Sequence, residues 1–178
     1  GYQIDGDGDG FDDDDSDLTQ TRTHNAVNEL TAIAETHGPP WLDPTHDPAG
    51  NMTSAPRPGD EATATQRQFY TWDAWNRLVQ VVRDTDGDGE SSDEGAASVI
   101  AEYEYDPLHR RIAKCLPNGE NWDRTDYYYN TAWQCLEERF VADQANPQTS
   151  ATAARVQTVW DLRYIDAVAC RFRDTDAN

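Results

Sequence analysis

The chain has 178 residues, a net charge of -20 at neutral pH and an isoelectric point near 4.2. Such acidity opposes contact with the phosphates of nucleic acids and with anionic membranes, and no apolar run approaches the ~20 residues of a membrane-spanning helix. Hydrophobic residues make up only 37%, which is typical of disorder, but six Trp and eight Tyr predict an ordered, aromatic-rich sheet that carries acidic loops.

The chain begins with an acidic, glycine-rich segment, residues 1–18, which we expect to be separate from a β domain of residues 19–178. Aspartates at loop positions 1, 3 and 5, with Gly10 at position 6, are how a calcium loop of the EF-hand type begins. Position 12 is Ser16, where a bidentate acid is expected, so the stretch resembles the calcium repeats of thrombospondin type 3 and dockerin modules more closely. An acidic tail without a metal is the alternative. The predicted calcium ligands are Asp5, Asp7, Asp9, Asp13 and Asp17.

The first strands of the β domain are predicted from residues 20 to 83. Residues 26–33 could be helical on propensity alone, but the repeat described below places residues 30–33 after a turn, as a strand. Residues 54–65 form a polar loop, and the β-branched residues 78–82 form the next strand.

A second candidate calcium loop follows this strand and is formed by Asp84, Asp86 and Asp88 with Gly89. Its later ligand positions fall on Ser92 and Gly95, which are poor ligands. We therefore favour an acidic excursion between two strands, in which the glycines supply the turns.

Residues 99–140 predict a meander of four strands, at 99–105, 110–116, 122–129 and 133–140. In the first strand Tyr103 and Tyr105 share one face while Glu102 and Glu104 share the other, the period of a half-buried strand. Asn118-Gly119 predicts a tight hairpin because both residue types tolerate a positive φ. A polar loop at 142–154 and strands at 155–160 and 163–172 complete the prediction.

A short unit recurs along the chain: aromatic, spacer, aromatic, Asp, two residues, a turn residue, Arg and an aliphatic residue. The six Asp or Asn anchors are Asn25, Asp47, Asp73, Asp106, Asn130 and Asp161, spaced by 22, 26, 33, 24 and 31 residues. The residues that define the two strong copies are Tyr70, Trp72, Asp73, Arg77, Tyr103, Tyr105, Asp106 and Arg110.

This unit resembles the YD repeat of Rhs-type wall-associated and toxin-shell proteins, over about residues 20 to 173. Asn76 and His109 stand where the repeat most often has glycine. The resemblance implies an all-β fold of antiparallel hairpins that curl into a sheet or shell. It also implies a self-cleaving aspartyl motif and a toxin domain after the shell of the toxin class, and this sequence has neither.

The aromatic and Arg pattern has two interpretations. As structure, Tyr and Trp stack along successive strands, and the Asp and Arg of each turn pair with the neighbouring repeat. As function, exposed rings beside carboxylates stack on sugars. We favour structure because the period of two predicts packing.

No motif for catalysis stands out. The chain has no Gly-x-Ser-x-Gly, no His-Glu-x-x-His, no phosphate-binding Gly-Lys-Ser/Thr and no Cys-x-x-Cys. The residues before two of the anchors, His24 and His46, fit a repeat position better than a set of metal ligands. Cys115, Cys135 and Cys170 leave open one bridge with one free thiol, an intermolecular bridge, or three free thiols.

We therefore expect a non-enzymatic structural repeat segment, cut from a longer extracellular or cell-surface protein of bacterial origin. It would belong to a shell, wall protein or fibre, associate with itself or with neighbouring repeats, and be stiffened by calcium. A module that binds surface carbohydrate is one alternative, and part of a toxin-encapsulating shell is another.

Overall fold

The computed structural model describes residues 2–4, 18–38, 40–57, 61, 63, 67–91, 98–161, 163 and 167–174. These residues form strands, turns and loops, so the predicted all-β class is confirmed. Within this part of the chain there is no helix with the length and apolarity to cross a membrane. The thirteen strands are β1 (Tyr2–Ile4), β2 (Leu18–His24), β3 (Leu30–His37), β4 (Thr45–His46), β5 (Met52–Pro56), β6 (Arg67–Trp72), β7 (Leu78–Arg83), β8 (Val99–Tyr105), β9 (Arg111–Asn118), β10 (Asn121–Tyr129), β11 (Cys135–Gln144), β12 (Ala154–Trp160) and β13 (Val168–Arg173).

The chain divides into two compact units, Gly1–Val99 and Ile100–Asn178. In the first unit β1, β2 and β3 form an antiparallel sheet, and β4 to β7 pair antiparallel in chain order. In the second unit β8 to β13 likewise pair in chain order, each antiparallel to the next. Every pairing is therefore between sequence neighbours, as the predicted meander requires.

The predicted strands lie where the structure has strands, but several of their ends differ. The strands predicted at 30–33, 110–116 and 133–140 are Leu30–His37, Arg111–Asn118 and Cys135–Gln144, and the polar loop predicted at 54–65 begins inside β5. The strand predicted from residue 163 begins only at Val168, and the loop predicted from residue 142 begins after Gln144, where β11 ends. The hairpin between β9 and β10 lies where Asn118-Gly119 predicted it. Its two corner residues are Gly119 and Glu120, and Gly119 has φ +63° while Asn118 still belongs to β9.

Burial in β8 does not alternate as the sequence predicted. Ala101, on the tyrosine face, is buried, and the other residues of β8 are half-buried. The face of Glu102 and Glu104 is opposite Cys115 and Ala113 of β9, and both of these are fully buried. Residues directly opposite in a sheet share a face, so the glutamate face also carries core residues.

Among the residues that the structure describes, few apolar side chains are buried in each unit. In the first unit they are Phe69, Val81 and Val82, and in the second they are Ala101, Ala113, Cys115, Ala151 and Val156. Since these side chains are small or few, burial of apolar surface contributes modestly in each unit. Turns and polar contacts consequently contribute a larger share of the stability of this fold.

Besides the β9–β10 hairpin, five hairpin corners contain a residue in the left-handed region: Asn28 (φ +69°), Gly50 (+86°), Asn76 (+57°), His109 (+66°) and Trp133 (+66°). A type I turn followed by a left-handed residue is the usual three-residue hairpin connection, with a bulge. Register shifts accompany the corners, for example between Glu104 and Tyr105. The asparagine and histidine found at the glycine position of the repeat therefore adopt the backbone that glycine would.

Replacing Gly50 by Ala should destabilise the protein by about 1–2 kcal/mol, because a Cβ is strained in the left-handed region. That Cβ would also lie 2.8 Å from Oε1 of Glu29. The matched control is Ala49→Gly, at the exposed neighbouring position, which should cost less. Urea melts of both variants measure the difference in the free energy of unfolding. A Gly50→Ala melt equal to that of the parent would contradict the left-handed conformation at Gly50.

Candidate functional site

The six predicted anchors identify the feature that repeats in the structure. At five of them the anchor N–H donates to the carbonyl of the residue four positions later, and the N–H three positions later donates to the anchor carbonyl. All ten of these hydrogen bonds have lengths of 2.9 to 3.2 Å. The five anchors are Asn25, Asp47, Asp73, Asp106 and Asn130.

In each of these turns the anchor side chain caps the backbone. Its Oδ1 accepts two N–H groups, from the residues two and four positions later, at 2.9 to 3.1 Å. Asp and Asn are suited to this because a short side chain ending in oxygen reaches its own backbone two residues on. The turn therefore needs Asp or Asn at its first position and places few demands on the residue types between.

The second side-chain atom of each anchor contacts the side chain four residues later. Arg77 forms an ion pair with Asp73, with N–O distances of 2.6 and 2.7 Å. Arg110 forms the same pair with Asp106, and both of its N–O distances are 2.6 Å. The other three anchors pair through amides: Asn51 with Asp47, Gln134 with Asn130, and Asn25 with Glu29. The sequence predicted that the Asp and Arg of a turn pair with the neighbouring repeat. In the structure the ion pair closes within one turn, and Arg110 in addition contacts the next turn, at the carbonyl of Asn130.

The sixth anchor, Asp161, forms a wider connection. Its N–H donates to the carbonyl of Ala167, and its Oδ1 accepts from Arg163 N–H at 2.7 Å. The capping contact to the residue two positions later is kept, while the closing bond spans six residues. This explains why β13 begins later than the repeat predicted.

Consecutive turns are connected by the aromatic residue that immediately precedes an anchor. Trp72 Nε1 donates to the carbonyl of Met52 at 2.7 Å, Tyr129 Oη to that of Arg111 at 3.0 Å, and Trp160 Nε1 to that of Cys135 at 2.8 Å. The acceptor is in every case the fifth residue after the preceding anchor. We call these three bonds the aromatic ladder. They give the aromatic residue immediately before three of the anchors a specific role, which is to connect one hairpin to the one before it.

Two further contacts connect neighbouring turns. Asn51 Nδ2 donates to Oδ1 of Asn76 at 2.9 Å, and Arg110 Nη1 donates to the carbonyl of Asn130 at 3.1 Å. Arg110 also lies over the rings of Tyr129 and Trp133, 5.3 and 5.9 Å from their centroids. The turns of each unit are therefore joined by polar and cation–π contacts.

An arginine of β9 contacts the predicted tyrosine of the strand before it and a tyrosine of the strand after it. Arg111 lies 5.4 Å from the ring centroid of Tyr103 and 5.3 Å from that of Tyr127. Tyr105 is half-buried at the end of β8, opposite Arg111. Tyr70 donates to Oε1 of Gln68 in its own strand, and partial burial raises the pKa of its hydroxyl.

The anchor carboxyls are held in the ionised form. Hydrogen bonds from Asn51 lower the pKa of Asp47. Partial burial opposes ionisation of Asp73 and Asp106, but hydrogen bonds from the side chain and backbone of the arginine four residues later outweigh it and lower the pKa of both carboxyls. These carboxylates serve as fixed hydrogen-bond acceptors.

A buried polar cluster in the second unit was not predicted. Arg124 of β10 is 5% exposed and Asp126 is 6% exposed. Arg124 pairs with Asp126 at 2.7 Å, with Glu104 at 2.7 and 3.1 Å, and with the carbonyl of Pro147 at 2.8 Å. The hydrogen bonds to Glu104 are the main reason that the pKa of Arg124 is raised.

This cluster attaches the loop between β11 and β12 to the sheet. Asp126 Oδ2 accepts from the N–H of Ala151 at 2.7 Å, and the buried thiol of Cys115 donates to Pro147. Burial raises the pKa of Cys115, and all three cysteines are free thiols. A cavity of about 520 Å³ adjoins the cluster and is lined by Glu104, Arg110, Ile112, Arg124, Asp126, Tyr127, Tyr128, Tyr129 and Ser150.

The acidic loop after β7 gathers its three predicted ligands. One carboxylate oxygen from each of Asp84, Asp86 and Asp88 lies within 4.8 Å of the others. Asp84 is fully buried and accepts from the N–H groups of Gly87 at 2.6 Å and Gly89 at 3.1 Å. The other predicted ligands, Asp5, Asp7, Asp9, Asp13 and Asp17, lie outside the described residues, as do Ser92 and Gly95.

Comparison with protein-family models finds no match for this chain, and a search of the curated proteins likewise finds none. The relation to the YD repeat therefore stays a prediction from the sequence motif.

The carboxylate caps should make the fold sensitive to acid. Because the folded pKa values of Asp47, Asp73 and Asp106 are lowered, their contribution is present above the unfolded pKa of about 3.9 and is lost as the pH falls through the folded values. The variant Asp106→Asn, which copies the cap at Asn130, should be less stable than the parent at pH 7 because Arg110 loses its carboxylate. That difference should shrink as the pH falls through the lowered folded pKa of Asp106, where the parent's cap also becomes neutral. Urea melts across pH measure it, and a difference that stays constant would contradict the role of the charge.

Proposed function

We propose that this chain is a non-enzymatic structural segment of a large extracellular or cell-surface protein of the YD-repeat, or Rhs, type. The observation that carries the proposal is the recurrence of one capped turn at five anchors, with an aromatic ladder bond from a hairpin to the preceding turn. In repeat proteins the free energy of folding is approximately the sum of the stability of each repeat and of the interactions between neighbouring repeats. Three aromatic side chains that each bond the preceding hairpin support such an architecture.

The role as a building block is also supported by the exposed strand at the end of the second unit. All six residues of β13 are exposed, including Val168 at 51% and Phe172 at 60%. An exposed edge strand with apolar side chains pairs readily with another chain or another repeat. The segment would accordingly continue a shell, wall protein or fibre, and encapsulation of a toxin is one form of such a shell.

Electron microscopy and sedimentation of the purified chain over a range of concentrations test this assignment. Shells, fibres or concentration-dependent oligomers are expected, and Phe172→Lys should abolish them because a charge blocks edge pairing. Leu116→Lys, at another exposed strand position, is the matched control and should leave assembly intact. Single particles at every concentration would contradict self-association.

Calcium is proposed as a stabilising ligand of the loop at Asp84, Asp86 and Asp88. Three carboxylates are part of the six to eight oxygen ligands that calcium takes, and the loop brings one oxygen of each within 4.8 Å. The chain's net charge of -20 further favours a cation at this loop.

Adding calcium at ~100-fold over Kd should raise Tm by about 5–10 °C, since a ligand at that excess stabilises by ~2.7 kcal/mol. A chelator should reverse the shift. The variant Asp86→Ala with Asp88→Ala should remove it while leaving Asp84 to cap the loop. Identical melting curves with calcium and with chelator would take the metal out of this proposal.

A carbohydrate-binding module is the second candidate, and exposed tryptophans favour it. Trp75 and Trp133 are 66% and 57% exposed at the turn tips, and aromatic faces in such positions stack on sugar rings. Trp72 is half-buried and bonded to Met52, which makes it a poor platform. Glycan-array binding that is lost on Trp75→Ala or Trp133→Ala, with the fold retained, would favour this role over the structural one.

The aromatic ladder leads to a direct prediction. The variant Tyr129→Phe keeps the ring but removes the hydroxyl that bonds Arg111, so it should cost about 0.5–1.5 kcal/mol. Because this bond connects two hairpins, amide protection should fall in β8–β9 as well as in β10–β11.

Hydrogen exchange measures the effect, and Tyr70→Phe is the matched control. The Tyr70 hydroxyl bonds Gln68 in its own strand, so the control should alter protection only locally. Loss confined to the β10–β11 hairpin in Tyr129→Phe would show that the ladder does not couple repeats.

A further inference from the structure

We propose that Asn118 is a site of spontaneous deamidation, a modification that reorganises the hydrogen bonds at the tip of the β9–β10 hairpin. Asn118 is the only asparagine of the sequence that is followed by glycine. It ends β9, Gly119 has φ +63° at the first corner, and residues 116–120 are all exposed. A Cβ built on Gly119 would meet no atom within 4 Å, so the corner is open on that side.

The reaction needs only water. The backbone nitrogen of Gly119 attacks Cγ of Asn118, and a new C–N bond closes a five-membered succinimide while the bond from Cγ to Nδ2 breaks. Nδ2 leaves as ammonia and takes the proton that the Gly119 nitrogen gives up. Water then opens either carbonyl of the ring and leaves aspartate or isoaspartate at position 118. Glycine favours the attack because no side chain hinders the nitrogen and because its backbone adopts many conformations.

The amide that is lost takes part in a small network. Asn118 Nδ2 donates to Oδ1 of Asp123 at 3.0 Å, and the same oxygen accepts from the N–H of Asp143 at 3.0 Å. Asn121 Nδ2 donates to Oδ1 of Asp143 at 2.8 Å. The tip of the hairpin is therefore bonded to β11 through Asp123 and Asp143.

Asp143 is the residue that this network holds in an unfavourable backbone conformation. Its φ is +58°, and the register of β10 with β11 shifts between Trp122 and Arg124, opposite Asp143. A non-glycine residue in the left-handed region persists when its surroundings fix it. Deamidation replaces a donor to Asp123 with a second carboxylate, which removes one hydrogen bond and adds repulsion between like charges. The β10–β11 bulge then loses part of its support.

Peptide mapping by mass spectrometry after incubation of the whole chain at mildly alkaline pH tests the modification. The peptide containing Asn118 should gain the mass of an amide-to-acid exchange faster than the peptides containing Asn25, Asn76 or Asn130. A protein isoaspartyl methyltransferase should label the same peptide. Conversion at Asn118 no faster than at those three asparagines would overturn the proposal.

Two variants test the consequence separately. Asn118→Asp should lower Tm at pH 7 by about 2–4 °C, the shift expected for the loss of about 1 kcal/mol in a chain of this size. Asn118→Ser removes the donor without adding charge and should lower Tm less. The gap between the two should close at pH below about 3, where the added carboxyl is neutral. Equal melting of Asn118→Asp and the parent at pH 7 would overturn the link to the network.

Discussion

The order of this protein depends on one interaction, an Asp or Asn oxygen that accepts two backbone N–H groups at the corner of a hairpin. At a corner that includes a left-handed residue, these N–H groups point into the turn. They have no partner on a neighbouring strand there and need another hydrogen-bond acceptor. In the five complete turns the Oδ1 atom of the anchor accepts both. The corner thereby fixes the register of the two strands that leave it, and with the register it fixes which side chains face the core.

This local origin explains which features the sequence could predict. The five complete corners were found because anchor and partners lie within five consecutive residues, where spacing carries information. The same argument should have indicated that Arg77 and Arg110 bond the anchor of their own turn. A contact four residues away needs no other repeat, whereas the contact of Arg110 with the next turn, at the carbonyl of Asn130, spans twenty residues.

The features that sequence reasoning missed depend on long-range contacts. Arg124 reaches Glu104 and Pro147, which lie 20 and 23 residues away. Arg124 and Asp126 lie on the same face of β10. This pair of opposite charges two residues apart in the sequence was the signal that could have predicted the cluster. The acid-rich composition hid it, because carboxylates close in sequence are common throughout the chain. The two faces of β8 were predicted from the period of two, which does not show that the buried Cys115 and Ala113 of β9 lie opposite the glutamates.

The direction of the aromatic ladder has a consequence for how the chain is made. In each of its three bonds the donor belongs to the later hairpin and the acceptor carbonyl to the earlier one. During synthesis the N-terminal hairpin emerges from the ribosome first, so its carbonyl is in place when the next tryptophan or tyrosine arrives. Each new hairpin can thus dock on a finished predecessor, and the sheet can grow vectorially without waiting for the C-terminus.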